Sequence, residues 1–361
     1  MSFLRVASIG LVVLAASCGV DDPSATEEVE QQMWGGCDDW GCGSNSGEVD
    51  HLGLHDIHGK VGGRPNANGF RVTKIQKTSC AVFCTTKFYD RVFAVGGELR
   101  ATGASGTLTG AGIAGLEIFV SNGANKYIIS VASKGRNVNM WAHITGFESW
   151  PQYVLEWDVE RLPGQKMEWK AVCTHPPTDG SPDLLGMNAF HSVVFENDEI
   201  DATRKIVVGL RPEPNWIDIG CAGHAVAKML LTGNTSAGDA AFGFHSTFND
   251  KTAALKMITG DVCGTGHVFT VAGQPLQWID AASFNKYMPG FAGKKEALWT
   301  HKGATCLNKP RVLANPTALG TLTFPTLETD IKIDCGGTRP PFCADLDPYS
   351  FAGHYYISSN P

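Results

Sequence analysis

The chain has 361 residues, 43% of them hydrophobic and 18% charged, with 42 glycines, 18 prolines and 11 cysteines, so it can bury a sizeable core. That composition excludes a disordered or collagen-like chain. The net charge of −7 argues against a broad basic footprint, so no nucleic-acid partner is expected.

In chain order, Arg5 precedes an uncharged apolar run from Val6 to Ala16. The run is too short to span a bilayer and reads as the core of a secretory signal, residues 1–17. It ends in Leu14-Ala15-Ala16-Ser17-Cys18, which resembles a bacterial lipobox. The resemblance implies a palmitate-bearing lipid anchor on Cys18, with Gly19 rather than Asp after it directing the chain to the outer membrane. Without the anchor the chain is expected outside the cell. Each buried methylene contributes about 0.8 kcal/mol, so several acyl chains hold such a protein almost permanently.

The segment 18–65 reads as an acidic tether, because ten Asp or Glu and no Lys or Arg fall between Gly19 and Gly59. Cys37 and Cys42 suit a small local loop within it. His51, His55 and His58 are spaced i, i+4, i+7, so a helical turn would gather three imidazoles for a metal. A solvated, weakly metal-attracting stretch is the blander alternative. No other cofactor is expected, and Asp345 and Asp347 lack the later acidic ligands of a calcium loop.

Residues 66–210 read as a β-rich domain. Strands are expected over Val138–Ile144, Tyr153–Val159 and Met167–Cys173, where apolar residues alternate with polar ones. Three such strands suggest an antiparallel meander with one wet face. Their tryptophans suit a core or, less simply, a glycan-binding face. Gly110-Ala-Gly112-Ile-Ala-Gly115 matches a dinucleotide fingerprint in form, but Leu116–Val120 reads as a strand where the phosphate needs a helix N-terminus. Two helices follow, one from Cys221 to Thr232 closed by Gly233, and one from about Asp250 to Thr259 closed by Gly260. Short strands are expected at Val268–Val271, Leu276–Ile279, Leu322–Phe324 and Tyr355–Ile357. The fold class is thus α+β and β-rich: an antiparallel meander or sandwich, a small disulfide-stapled helical segment, then short strands.

Ten cysteines remain beyond Cys18, namely Cys37, Cys42, Cys80, Cys84, Cys173, Cys221, Cys263, Cys306, Cys335 and Cys343. An even number in an exported chain predicts a disulfide framework of up to five bridges. The competing enzymatic reading places Cys221 at a helix N-terminus, with His224 as base and Asp218 orienting it, as in a cysteine hydrolase. An oxidising compartment favours a sulfur already bonded. A non-enzymatic binding or structural module is therefore the leading expectation, its protein or glycan partner open.

The ordered strings Gly220-Cys221-Ala, Ala227-Lys228, Lys256-Met257, Gly260-Asp261-Val262-Cys263-Gly264-Thr-Gly266, Gly273-Gln-Pro275-Leu276, Asp280, Glu296-Ala297-Leu298-Trp299 and Gly303-Ala304-Thr305-Cys306-Leu307, with Arg311, resemble the ADYC-domain family of exported bacterial proteins. The resemblance covers roughly 211–311 and extends, in weaker form, into the β region before it; it leaves 312–361 as a β and loop extension. The naming tetrad reads Gly-Asp-Val-Cys here. The family pattern has cysteines where this chain has Met229 and Leu255, which implies that these two apolar side chains pack between the helices. With that pair gone, the resemblance suggests Cys221–Cys263 and Cys173–Cys306 as bridges. It supplies no mechanism.

Overall fold

Strict alternation builds most of the chain between residues 56 and 221 into antiparallel ladders. The structure is a computed structural model that describes residues 46–47, 49, 53–80, 82–140, 149–161, 165–173, 191–242, 245–270, 276–280, 286–287, 294–311, 324–343 and 356–360. Along this stretch lie β1 (Asp56–His58), β2 (Arg71–Cys80), β3 (Cys84–Tyr89), β4 (Arg91–Val95), β5 (Glu98–Gly103) and β6 (Gly106–Leu108). They are followed by β7 (Leu116–Ser121), β8 (Lys126–Asn139), β9 (Ser149–Val159), β10 (Lys170–Ala171), β11 (His191–Asp201) and β12 (Ile206–Cys221). Strands β4, β5 and β6 form a three-stranded sheet. The others form a nine-stranded sheet of order β1-β12-β11-β9-β8-β7-β2-β3, with β10 beside β9.

One face of the large sheet receives the small one. Val92, Ala94, Leu99 and Ala101 pack with Val72, Ile75, Val120, Ile129, Leu155, Val194, Ile217 and Ile219 in a single apolar cluster. Because side chains alternate along a strand, Trp216, Asp218 and Gly220 turn to the opposite face of β12, as do Asp56 and His58 of β1.

That second face is covered by helices α1 (Ala225–Leu231), α2 (Ser236–Phe242) and α3 (Phe248–Thr259). Helix α3 also packs on a five-stranded sheet made of β13 (Gln277–Asp280), β14 (Lys286–Tyr287), β15 (Lys294–Thr300), β16 (Gly303–Leu307) and β17 (Tyr356–Asn360), ordered β14-β13-β17-β15-β16. Helix α4 (Phe324–Asp334) follows β16 in sequence. Sandwiching buries every α3 residue from Asp250 to Thr259. Thr247 caps the helix reciprocally with Asp250, and Gly260 closes it in the left-handed conformation at φ 66°.

Several expectations are corrected. The stretch from Gly53 to residue 65 is no tether: Leu54 and Ile57 are buried and β1 pairs with β12. The divide at residue 210 falls inside β12. Of the strand expected over Met167–Cys173 only β10 forms, because the Asp158 carboxylate takes the Glu168 backbone N–H at 2.5 Å where a ladder bond would have been. Residues 267–270 form no strand; the Phe269 N–H donates to the Gly260 carbonyl instead. Phe324, expected in a strand, begins α4, which buries Leu327 and Ile331 at i, i+4 spacing and carries Pro325 in its first turn. Of Val138–Ile144, β8 takes Val138 and Asn139, and residues 141–144 lie outside those described.

A Cβ at Gly220 would sit 2.8 Å from the Cα and N of Ala227, so the glycine sets how closely α1 approaches β12. Gly220→Ala should cost about 1–3 kcal/mol in urea denaturation. Gly112→Ala, where a Cβ meets nothing within 4 Å, should be neutral or slightly stabilising. Equal effects would refute this account of the contact.

Candidate functional site

The face of the large sheet beneath the helices holds an unusual concentration of charge. The β11–β12 ladder shifts register at Glu196/Asn197 and again at Asn197/Glu199. Asn197, a residue type that tolerates the left-handed region, carries φ 80° there. Asp198 follows the bulge and is 1% exposed. Its carboxylate accepts from the Ser236 backbone and hydroxyl, both at 2.6 Å, and pairs with the Lys251 ammonium at 3.4 Å. Lys251 also reaches Ser236 Oγ at 2.5 Å and Asp239 at 3.3 Å. Burial still raises the Asp198 carboxyl above the usual carboxylate range, with Lys251 and Ser236 opposing.

Asp218 lies beside this group and opposite Asp56 across the β1–β12 pair. Neither of its oxygens meets a donor in hydrogen-bonding geometry among the described residues. Burial, then Asp198, Asp56 and Glu196 as like charges, raise it well above its ordinary value, and only the backbone at Asp198 opposes. Asp56 is better served, accepting the Ile200 N–H at 3.0 Å. His55 Nε2 lies 2.6 Å from the Ile200 carbonyl; a carbonyl only accepts, so that nitrogen carries the proton. Lys228, on α1 and 3% exposed, is lowered by burial to about 7.

A second polar knot closes the other side of α3. Lys256 donates to Asp261 at 2.6 Å and to the Arg204 carbonyl at 3.1 Å, while Asp261 also accepts the Gly266 N–H at 3.0 Å. On the five-stranded sheet Arg311 pairs with Glu296 at 2.8 Å. The Ser358 hydroxyl donates to the same carboxylate at 2.7 Å and accepts the Trp299 indole N–H at 2.8 Å.

The eight described cysteines are all bonded, as Cys80–Cys84, Cys173–Cys221, Cys263–Cys335 and Cys306–Cys343. Both expected pairings are therefore corrected. Cys221 shares the parity of Ile217 and Ile219, which turns it into the core between the sheets where Cys173 also lies. Cys263 stands beyond α3, across the helix layer. The nucleophile reading loses its thiol, since Cys221 is in a bridge and α1 starts only at Ala225, with His224 as N-cap. The histidine helix does not form either, because 56–58 is strand. His55 is engaged with Ile200, and His58 packs edge-on against Trp216 at 5.7 Å. No metal-binding cluster of three or more ligands occurs among the described residues. Cys18, Cys37, Cys42, His51, Asp345 and Asp347 lie outside the described residues.

Sequence reasoning missed Asp198, Glu196 and Lys251, and met Lys228 only within the Ala227-Lys228 string, without a role. The available signal was lysine inside helical stripes that are otherwise apolar, as at Lys228 between Ala227 and Met229.

The family model described as the ADYC domain matches residues 110–313. It takes in the β region before residue 211, from β7 to β12, as well as the three helices and both polar knots apart from His55, Asp56 and Ser358. No curated protein and no solved structure matches.

The two buried charges predict opposite pH dependence. A carboxyl raised on folding, such as Asp218, contributes stability that is whole below its unfolded pKa and lost as pH rises through its folded one. Asp218→Asn should therefore raise Tm at pH 7 and less at pH 4. A lysine lowered on folding costs most below about 7 and nothing once it is neutral in both states. Lys228→Met should raise Tm by several kelvin at pH 6 and less at pH 9. Gains that ignore pH in calorimetric scans would contradict both assignments.

Proposed function

This chain belongs to the ADYC domain family, and we propose that it is an exported, lipid-anchored module that acts by binding or as structure rather than by catalysis. The observation that carries the reading is the bonding of all eight described cysteines. A cytosol keeps thiols reduced, so such a framework fits an exported chain. The Cys263–Cys335 bridge, with a sequence separation of 72, stabilises by about 4 kcal/mol in the chain-entropy model.

The disposition of the family's residues supports the same reading. Lys256, Asp261, Glu296, Trp299 and Arg311 bond to one another or to Ser358 and are nearly inaccessible. Cys221, Cys263 and Cys306 are cross-linked. Burial raises the Asp198 and Asp218 carboxyls, but at 1% and 0% exposure a substrate would reach them only through opening of the helix layer. The Asp198 carboxylate instead holds α2 and α3 against β11 through Ser236 and Lys251. The lipobox at Cys18 supplies the anchor, and a protein or glycan is the partner class.

Two measurements test this. Labelled palmitate fed to producing cells should enter the wild-type chain and be lost on Cys18→Ser. Alkylation of the denatured, unreduced protein should leave Cys80, Cys84, Cys173, Cys221, Cys263, Cys306, Cys335 and Cys343 unlabelled. A labelled Cys221 would overturn the non-catalytic reading.

A further inference from the structure

The end of the β2–β3 hairpin carries the two most exposed large apolar side chains among the described residues. Val82 and Phe83 are 88% and 85% exposed, and both sit in the connection between β2 and β3. Two adjacent large apolar side chains held this far into water form a contiguous patch of the kind that marks a contact surface. The connection is not slack. Cys80 and Cys84 are cross-strand partners joined by a disulfide with Cα atoms 4.0 Å apart, so the tip is held in shape before it meets a partner.

The charge beneath the tip selects the partner. From residue 71 to 89 the hairpin carries Arg71, Lys74, Lys77 and Lys87 and no Asp or Glu, in a chain of net charge −7. Lys77 and Lys87 are direct cross-strand partners. Like charges placed opposite one another destabilise a ladder, and Lys77 relieves this only in part by donating to the Gly112 carbonyl at 2.6 Å. Lysines on an edge strand also guard against strand pairing, and β3 is the edge strand here. A guard against association would not be crowned with exposed Val82 and Phe83. With three residues at about 3.3 Å each, the lysine pair stands about 10 Å behind the bridge. That is comparable with the distance of about 5–10 Å between the hydrocarbon boundary and the anionic headgroups.

We propose that the Cys80–Cys84 hairpin tip is a membrane-contact element: Val82 and Phe83 enter the outer hydrocarbon of an anionic lipid surface while Lys77 and Lys87 meet its headgroups. It extends the reading of a membrane-held module by a non-covalent contact that needs no acyl chain.

The test uses the chain from residue 18 onward, which holds every described residue, with Cys18→Ser so that no acyl chain contributes. Sedimentation with phosphatidylcholine vesicles, with and without phosphatidylglycerol, reads the partition. Binding should be at least about tenfold stronger to the anionic vesicles and weaken with salt. Val82→Ser with Phe83→Ser should reduce it about tenfold. Lys77→Gln with Lys87→Gln should remove most of the anionic preference. All four positions are exposed or half-buried, and unchanged thermal melts verify that the variants fold. Equal binding by the variants, or no binding to either vesicle, overturns the lipid contact and in the second case leaves the tip as a protein-docking loop. Palmitate labelling is read separately, so loss of the acyl anchor and loss of the hairpin contact are distinguishable.

Discussion

From Asp250 to Thr259 helix α3 lies between two sheets with no residue left to water, so each lysine it carries must find an opposite charge inside the protein. Lys251 and Lys256 fall on different sides of the helix. One is neutralised through Asp198, Asp239 and Ser236 under the large sheet, the other through Asp261 in the loop that follows. Losing one partner of such a pair strands a buried charge and costs about 3–5 kcal/mol, whereas an apolar substitute for both can be neutral. The helix therefore docks in one register, the register that satisfies both lysines. Specificity of docking is the gain, since apolar residues in the same places would bind at least as tightly.

Strand β12 transmits this constraint to the rest of the fold. Its Ile217, Ile219 and Cys221 seal the core between the large and small sheets, and its Trp216, Asp218 and Gly220 face the helices. Among the described residues neither Asp218 oxygen meets a donor in good geometry, and three other acids lie close by. Such a group is retained against its own cost. Of the cross-links, one ties β12 to the segment after β10, and two fasten the chain around α4 and Cys343 to the loop after α3 and to β16.

Much of the architecture was legible in the residues. Alternation identified β9, and the stop glycines placed the ends of α1 and α3 within a residue or two. The β-rich α+β class follows from those signals alone. The disulfide pairing was not legible, because it depends on which face of β12 carries Cys221, and a strand buried on both faces shows no polar side to fix that parity. The stretch around β1 was misread for a related reason. Asp56, His55 and His58 give it the composition of a solvated segment, yet each is buried by pairing with β12 or by contact with Ile200 and Trp216. The burial of Lys251 and Lys256 was not legible either, because α3 is covered on two sides. Composition reports exposure only where the partners lie nearby in sequence, and Lys251 finds Asp198 across 53 residues.

The claim that these charges act as internal braces is tested most directly by a double-mutant cycle on Lys256 and Asp261. Urea denaturation of Lys256→Met, Asp261→Asn and the double variant should show each single change costing about 3–5 kcal/mol. The pair together should cost less than the two singles summed by about 2 kcal/mol or more. Additivity within about 0.5 kcal/mol would mean that the two side chains stabilise the fold independently, and the account of how α3 is held would fail.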